Sequence, residues 1–484
     1  MKSYRTIFTG NLVQQSALSV GGNEPSGVVD SPCCSDGLGR PTLRGTTLAG
    51  ALIATARKIF EKLPDGITGR DSSIHFPLEF SSSAWRFFNA HPEQSTAPAP
   101  EFRQGVGIRQ DTGAASSGVL FDVETFPRGT QWPFCLEVDT TLPNGPEIAA
   151  TAAAALLEWS YGRCWIGRSV ARGLGWMKLE GLEARSLTVD HLELWPDSSK
   201  DPFELIPQLP IPVIKPEAFT DYFKLTALSK QPWSYLEIDG TIDVGLSDDG
   251  YGLDAISVGG HTANQAFAQW SDNYLGPQGK NDKSKHKDFS PDNHIVLTKN
   301  LNDDLEPFVP GSGLRGTIRH ALSRMLRMKG NNVGDPGVRQ DHTALNEPDE
   351  VEKIFGTMED SSSLLVRDAY LETGSKWTAA WMQHHAEDEF TGGVFGSSKF
   401  DRVALTEARL CWKMTIEAET REDCLARWKM LEPVLDLGAK GHLPLGGAQW
   451  RGLGWPRWSV NRAILIKAGD PQPCEVLREN TEVK

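Results

Sequence analysis

The sequence has little cysteine, no long hydrophobic run and no overall positive charge. Its 484 residues include seven cysteines, an odd number without a Cys-x-x-Cys pair, which argues against a disulfide framework and against a structural zinc site. No apolar stretch approaches the roughly 18 to 20 residues that cross a bilayer, and the N-terminus lacks the pattern of a signal peptide. We therefore expect a cytoplasmic protein with free thiols and no membrane partner.

The formal net charge of -14 by itself speaks against nucleic-acid binding, because domains that bind nucleic acids usually carry a basic excess. The distribution of charge changes this conclusion. Four windows contain no Asp or Glu and hold 4, 4, 5 and 5 basic residues, respectively: 37–60, 159–179, 307–334 and 437–469. This pattern favours anion sites over the alternative, a set of ordinary helix faces.

A tandem duplication organises the chain. Three short segments occur twice in the same order: Leu18–Gly22 with Ile256–Gly260, Leu43–Gly50 with Val309–Gly316, and Arg172–Gly175 with Arg451–Gly454. Three ordered matches are much harder to obtain by chance than one glycine-rich tripeptide. The length suits two copies of about 200 residues each.

The repeated segments predict the same elements in each copy. A strand comes first, over 4–18 and over 234–256, and a helix with one apolar face follows the glycine turn. Thr46 or Thr47 is the expected N-cap of the first such helix, and Ser312 that of its counterpart. A long hairpin and a second helix come next: hairpins over 105–138 and 385–418, helices over 147–158 and 422–437. Within the hairpins we align Val119–Asp122 with Val394–Phe395.

The resulting order, β-α-β-β-α-β, is that of a ferredoxin-like unit, which packs two helices on one face of an antiparallel sheet. We predict an α+β fold of two tandem ferredoxin-like, RRM-like domains with inserted hairpins and loops. The predicted divisions are a first domain over 1–195, a proline-rich extended linker over 196–232, a second domain over 233–470 and a tail over 471–484. Two polar inserts of the second domain, about 262–291 and 330–350, are predicted to be mobile loops.

The residues around the repeats resemble the motifs of one known family. Val29–Pro32, Asp36, Gly39 and Pro41 lead into Leu43–Gly50; the second copy has Asp292–His294, Pro307 and Pro310–Gly316, followed by Ile354–Gly356 and Val366–Ala369. This set resembles the RAMP superfamily and, within it, the backbone subunits of type III CRISPR effector complexes in a tandem-fused form. One departure is Arg44, which stands where the family has proline.

The resemblance implies a subunit that binds guide RNA and the paired target RNA together with other type III effector subunits. The residues point the same way, because a glycine loop at a helix N-terminus presents N–H groups and a positive dipole end to a phosphate. A tight helix start without ligand is the alternative. The candidate RNA-binding residues are Arg44, Gly45, Thr46, Thr47, Arg172, Gly173, Gly175, Gly311, Ser312, Gly313, Arg315, Arg451, Gly452 and Gly454.

The resemblance also implies metal-dependent cleavage of the target RNA, marked by an aspartate in the loop after the first strand. Asp30 falls on that position, with Asp36 in reserve. Asp292 is its counterpart, and the alternative for the second copy is that it binds RNA without cutting it. A carboxylate there can hold a divalent cation, with Mg²⁺ as the expected ion, or accept a proton from the ribose 2′-hydroxyl. The alternative is that these aspartates are turn residues. His294 could orient a phosphate or be incidental.

Three functions remain open: a target-RNA endoribonuclease subunit, a non-catalytic guide-RNA-binding scaffold, and a guide-processing ribonuclease. The last would use histidine acid–base chemistry, which is disfavoured because His75, His91 and His191 lie in no repeated motif. The acidic and histidine-rich run 384–389 has the composition of a metal site, but we predict that it begins a hairpin.

Overall fold

A computed structural model gives the fold of the chain. It describes residues 3–22, 30–68, 82–92, 99–109, 115–191, 193–195, 201–228, 230–245, 255–260, 266, 267, 269, 270, 291–300, 304–334, 349–357 and 359–479. No helix within these ranges is long and apolar enough to cross a bilayer.

The first copy forms a five-stranded sheet and a separate two-stranded hairpin. Its elements are β1 (Ser3–Gln14), α1 (Gly45–Ile59), β2 (Trp85–Phe87), β3 (Glu101–Ile108), β4 (Ala115–Thr125), β5 (Gln131–Asp139), α2 (Gly145–Ser160), β6 (Cys164–Trp165) and β7 (Trp176–Thr188). The sheet order is β2-β5-β1-β7-β6, and all neighbouring strands pair antiparallel. Strands β3 and β4 form the hairpin.

The two helices of the first copy pack on one face of this sheet. Phe8 and Leu12 of β1 share a core with the apolar face of α1 and with the alanine-rich α2. The apolar periodicity predicted both helices, and the structure confirms them. The N-caps predicted at Thr46 or Thr47 are wrong, because α1 begins at Gly45 after the extended residue Arg44.

The first part of the proline-rich segment covers the opposite face of the first sheet, whereas Phe219 and Leu225 further along it pack in the same core as the two helices. The prediction of an extended linker is wrong, because its described residues form short turns of helix: α3 (Pro202–Leu205), α4 (Phe219–Tyr222) and 3₁₀ turns at Ile206–Gln208, Pro216–Ala218 and Leu225–Ala227. Proline is well tolerated in the first turn of a helix, and it lies there in three of these segments. Leu205 and Ile206 pack with Ile7 of β1 in a small separate core.

The second copy repeats the arrangement on a larger sheet. Its elements are β8 (Ser234–Val244), β9 (Leu297–Lys299), β10 (Leu305–Val309), α5 (Gly311–Met328), α6 (Glu350–Phe355), β11 (Leu364–Val366), β12 (Ala369–Leu371), β13 (Thr378–Glu387), β14 (Val394–Ala418), α7 (Arg421–Ala439), β15 (Arg457–Lys467) and β16 (Pro473–Glu479). The sheet order is β16-β15-β8-β14-β12-β10-β9, and β11 and β13 also pair with β14. Strand β14 therefore serves both as a hairpin arm and as a central strand.

Two predictions for the second copy differ from the structure, and a third concerns segments that lie mostly outside the described residues. The helix α5 begins at Gly311 after Pro310, so the N-cap predicted at Ser312 is wrong. The segment predicted as a tail contributes β16, an edge strand on β15. The two polar inserts lie mostly outside the described residues, although Phe267 within the first of them is buried in the core of the second copy.

The two copies contact each other through buried charge. Arg163 of the first copy contacts Glu158 through two hydrogen bonds, of 2.6 and 3.0 Å, and lies 3.5 Å from Glu237 on β8. A second contact joins Arg103 on β3 to Asp368, which precedes β12, at 2.6 Å. Each pair lies largely out of water, where an ion pair broken on one side is costly. These contacts fix the relative position of the two copies.

Candidate nucleic-acid interface

The candidate aspartates of the two copies occupy equivalent positions. Oδ2 of Asp30 accepts a hydrogen bond from the backbone N–H of Asp122 at 3.0 Å. Oδ2 of Asp292 accepts one from the backbone N–H of Asp401 at 2.9 Å. Both carboxylates are exposed to solvent. Each is therefore held by the base of a hairpin while it remains accessible to a ligand.

The residues after these aspartates fix the correspondence between the hairpins. Ser31 forms a parallel bridge with Val123, and Asn293 forms one with Arg402. The hairpin residues of the two copies are thus related by a constant offset of 279. The alignment of Val119–Asp122 with Val394–Phe395 is wrong, because the counterpart of Asp122 is Asp401. Sequence alone could not reveal this register, since the hairpin loops differ in composition.

Asp36, the reserve candidate, stabilises a local turn. Oδ1 accepts from the backbone N–H groups of Leu38 and Arg40, both at 2.9 Å, and Oδ2 contacts the guanidinium of Arg40 at 2.7 Å. The hydrogen bond from the Arg40 amide is the main cause that lowers the pKa of this exposed carboxyl. Both oxygens of Asp36 are thus engaged within the turn.

The histidines near these loops have structural contacts. His294 is buried, with Nδ1 3.1 Å from the carbonyl of Gly260 and its ring edge-on to Phe267. His91 contacts Thr42 and Pro41, and Nδ1 of His191 accepts from the amide of Thr188; His75 lies outside the described residues. The run 384–389 belongs to a hairpin, as predicted, but it ends β13 and enters the turn to β14, so the prediction that it begins the hairpin is wrong.

The glycine starts of α1 and α5 present different surfaces. The amide of Gly45 donates to Oδ1 of the exposed Asn89 at 2.8 Å, beside a cavity of about 650 Å³. The amide of Gly311 instead donates to Oδ1 of the fully buried Asp368, also at 2.8 Å. These two amides are therefore already occupied.

The remaining candidates at the helix starts differ in exposure. Thr46 is exposed and Thr47 is partly buried, and Ser312 and Gly313 are both exposed at the start of α5. Arg44 is partly buried at the same end of α1. The exposed side of each helix start is the part that a phosphate can reach.

The two Arg-Gly-Leu-Gly loops owe their glycines largely to packing. A Cβ on Gly175 would lie 2.0 Å from the carbonyl of Ile166, and one on Gly454 would lie 2.8 Å from that of Leu445. Gly173 has a φ of +109° and packs against the second copy, where a Cβ would lie 2.1 Å from Oδ1 of Asp368. Gly452 is also left-handed, but it is exposed.

A cluster of arginines lies where the first copy meets α5. Arg172 of the first copy approaches Arg315, and Arg319 lies one turn further along the helix. Burial, together with the charges of Arg172 and Arg319, lowers the pKa of Arg315 to about 10. No carboxylate of the described chain forms an ion pair with Arg172 or Arg315. An anion would relieve this repulsion. Arg319 was missed in the sequence, although its i, i+4 spacing from Arg315 could have identified it.

A second basic group lies beside Asp401. Arg402 is buried and donates to Oγ of Ser257 at 2.8 Å, and burial together with the charge of Arg451 lowers its pKa. The guanidinium of Arg451 lies over the ring of Phe400 at 4.6 Å. Sequence reasoning identified Arg451 but missed Arg402, because the first copy has Val123 at that position.

A comparison with known protein families agrees with the repeated geometry of the two copies. The family model of the RAMP superfamily matches residues 15–178 and 253–457. The chain belongs to the RAMP superfamily. The two matched regions include both candidate aspartates, both glycine helix starts and both Arg-Gly-Leu-Gly loops. No curated protein matches the chain. Membership of the RAMP superfamily supports the prediction of a CRISPR-associated RNA-binding protein.

The carboxylates of each RAMP copy are too few to enclose a metal ion on their own. Within the described part of the chain, no three His, Cys, Asp or Glu side chains are grouped so that they could hold one. Mg²⁺ is commonly bound through only one or two carboxylates together with substrate phosphates and water. Asp30 and Asp292 fit this second mode, in which RNA would supply the remaining oxygens.

Proposed function

We propose that the chain is a backbone subunit of a type III CRISPR ribonucleoprotein, which binds guide RNA and the paired target RNA and cleaves the target. In this proposal Asp30 and Asp292 take part in metal-dependent endonucleolysis. The observation that carries it is the repeated geometry of the two aspartates, each exposed and each held by a backbone amide at the base of a hairpin.

The fold that we propose for each copy is the ferredoxin-like unit. In the first copy β1, β2, β5 and β7 would be its four strands, and their observed order is β2-β5-β1-β7. In the second copy β8, β14 and β15 lie in the corresponding order, with β11 and β12 along the edge of β14.

The proposed RNA contacts are phosphate contacts. Arg315 lies between the copies, where burial and the charges of Arg172 and Arg319 disfavour its charged form, and a phosphate there would offset this effect. The amide of Ser312, at the exposed start of α5, would add an uncharged donor, whereas the amide of Gly313 donates to the carbonyl of Pro310 at 2.9 Å. None of these groups reads a base edge, so sequence would be read through pairing with the guide.

The proposed chemistry assigns a small number of tasks to the protein. A single backbone hydrogen bond to Oδ2 orients the exposed carboxylate of Asp30 and leaves room for a ligand beside it. Mg²⁺, when bound, supplies Lewis-acid stabilisation of charge on the phosphate. The adjoining hairpin would displace a nucleotide, which aligns the 2′-hydroxyl with the phosphate to be cut. The 2′-oxygen would form a bond to the phosphorus as the bond from phosphorus to the 5′-oxygen of the next nucleotide breaks. The carboxylate would accept the 2′-hydroxyl proton or hold the ion, and water would protonate the departing 5′-oxygen.

The experiment substitutes the two aspartates separately and together in the guide-loaded complex. We expect Asp30→Asn and Asp292→Asn each to remove its own subset of cuts, by about 10² to 10⁴-fold, while binding of guide-matched RNA persists. Removal of divalent ions with a chelator should abolish all cuts. Asp65→Asn, at an exposed turn after α1, is the matched control and should leave every cut unchanged. Full cleavage by the double variant would favour the non-catalytic scaffold.

A further inference from the structure

The loop after the first strand of each copy pairs with the residue that lies four positions before the Arg-Gly-Leu-Gly loop. In the first copy this residue is Arg168, whose backbone N–H donates to the carbonyl of Ser19 at 3.0 Å. In the second copy it is Gly447, whose N–H donates to the carbonyl of Ser257 at 2.8 Å. Arg168 and Gly447 are thus counterparts, and the same offset of 279 that relates the two hairpins relates them.

The hairpin base shows the opposite difference between the copies. Arg402 of the second copy corresponds to Val123 of the first, as the bridges beside the two aspartates show. Each copy therefore has one arginine and one uncharged residue at this pair of positions, Arg168 with Val123 and Arg402 with Gly447. An arginine that is kept while its position is exchanged indicates that each copy needs the charge rather than either position.

In the first copy the guanidinium of Arg168 lies beside the segment that carries Asp30. A Cβ on Gly21 would lie 2.3 Å from Nη2 of Arg168, and Gly21 forms a bridge with Cys33. Burial raises the pKa of the Cys33 thiol, and the charge of Arg168 is close enough to act against this rise. Arg168 is exposed, so a ligand of the Asp30 loop can reach it.

In the second copy Arg402 lies against the equivalent loop, but it comes from the hairpin. Its Nη1 donates to Oγ of Ser257 at 2.8 Å and would lie 3.3 Å from a Cβ on Gly447. Its Nε is buried and has no hydrogen-bond partner among the described residues. Oγ of Ser19, the counterpart of Ser257, is likewise buried without a partner in the described chain. The serine of the first copy thus lacks the arginine that its counterpart contacts.

Packing alone does not account for this exchange. The first copy fills the hairpin position with valine, and the second copy fills the loop position with glycine, so neither position requires a long side chain. Burial, followed by the charge of Arg451, lowers the pKa of Arg402, and an anion bound there would offset this effect. The feature that the two copies share is a positive charge against the loop next to each candidate aspartate.

We propose that Arg168 and Arg402 are equivalent catalytic residues, each of which donates to a non-bridging oxygen of the phosphate cut beside its own aspartate. The inference rests on the cleavage proposed above. While the bond from the 2′-oxygen to phosphorus forms and the bond to the 5′-oxygen breaks, negative charge grows on the non-bridging oxygens. A guanidinium beside them stabilises that charge, and it gives up no proton because arginine stays protonated near neutral pH.

Single-turnover cleavage by the guide-loaded complex tests the proposal. Arg168→Gly should slow the cuts that Asp30→Asn removes, and Arg402→Val those that Asp292→Asn removes, each by about 10² to 10³-fold, as loss of one oxyanion donor does. Binding of a guide-matched target with 2′-deoxy residues at the cut positions should persist. Arg57→Val, at an exposed position in the last turn of α1, is the matched control and should leave every cut unchanged.

Moving the arginine within the second copy separates its charge from the local structure. Gly447→Arg in the Arg402→Val chain gives the second copy the residues of the first. Gly447 is not among the glycines with a positive φ, and Arg402, the nearest group to its Cβ position, is shortened to valine in this chain. We expect the double variant to regain most of the lost rate at the cuts that depend on Asp292. Gly447→Gln in the same background has a long side chain without charge and should regain none.

A sulfur substitution in the target RNA gives a readout that a structural role would not move. Replacing one non-bridging oxygen of the cut phosphate with sulfur weakens a hydrogen bond from a guanidinium. For one of the two diastereomers, the loss of rate at the Asp292 cuts should therefore be smaller in Arg402→Val than in the wild type. The sulfur effect at the Asp30 cuts should be the same in both proteins.

This inference and the proposed function fail in different ways. If Asp30→Asn and Asp292→Asn remove no cuts, the proposed function fails and this inference fails with it. If those variants remove their cuts while Arg168→Gly and Arg402→Val cut at the wild-type rate, only the role of the arginines is overturned. Equal rates in the arginine and glutamine variants at position 447 would overturn it as well.

Discussion

The two hairpin bases have the same backbone but different chemistry. Across the first hairpin Gly105 faces Phe121, and a Cβ on Gly105 would lie 2.3 Å from that ring. Across the second hairpin His384 faces Phe400, and the two rings stack with centroids 5.1 Å apart. Position 123 is valine in the first copy, whereas its counterpart is Arg402. One scaffold thus places an aliphatic side chain next to Asp122 in the first copy and a guanidinium next to Asp401 in the second.

This difference indicates that the duplication preserved the position of the carboxylate while the surroundings diverged. The first hairpin is tied to the second copy through Arg103, and the counterpart in the second hairpin is the uncharged Met382. The first copy therefore has to match a fixed neighbour within the chain. The second copy carries its positive charge, Arg402 and Arg451, at its own site.

The largest expected difference between the copies is in the loss of stability when the residue that accepts from the helix-start amide is removed. Asp368→Ala removes the partner of Arg103 and the acceptor of the Gly311 amide. We expect it to lower the free energy of unfolding by about 3–5 kcal/mol, because a largely buried guanidinium loses its carboxylate. Asn89→Ala removes only an exposed cap and should cost about 1 kcal/mol.

Urea denaturation followed by tryptophan fluorescence measures both variants. Arg103→Ala in addition to Asp368→Ala is the control, since removal of both charges should recover part of the loss. Equal destabilisation at the two positions would contradict the distinction between a buried and an exposed helix start.

The sequence predicts the elements inside each copy better than it predicts the contacts between the copies. The helices were predictable because Leu48, Leu52 and their counterparts repeat with helical spacing, and the repeated glycine motifs identified both copies. The contact between Gly173 and Gly311 was not predictable from the sequence, because it depends on how one copy packs on the other. Asp122 and Arg402 were also missed, since only the bridges beside Asp30 and Asp292 fix the hairpin register.

Intermediate effects should come from the arginines of the repeated loops. Arg172→Gln removes a charge beside Arg315, and Arg451→Gln removes one beside Arg402. We expect each variant to weaken guide RNA binding and to reduce the slope of log affinity against log salt by about 1, as loss of one phosphate contact does. Fluorescence anisotropy over a salt series measures this.

The two arginine variants also sharpen the comparison between the copies. Relief of repulsion on Arg315 should make the RNA-free Arg172→Gln chain at least as stable as the wild type. Lys440→Gln, at the end of α7, is the charge-matched control and should leave the RNA affinity unchanged. An unaltered salt slope in Arg172→Gln would remove the cluster at α5 from the RNA path.

The smallest effect concerns His384, which the first copy replaces with Gly105. Partial burial, followed by the charges of Arg402 and Arg451, lowers the pKa of His384 below its usual value near 6.5. Protonation is therefore harder in the folded than in the unfolded chain, so the free energy of unfolding should fall as the pH drops through that value.

NMR titration of the ring protons measures the pKa of His384 directly. Arg451→Gln should raise it, and bound RNA should raise it further by bringing phosphate charge to the same arginines. A pKa that does not respond to either change would separate the basic group at Asp292 from the RNA.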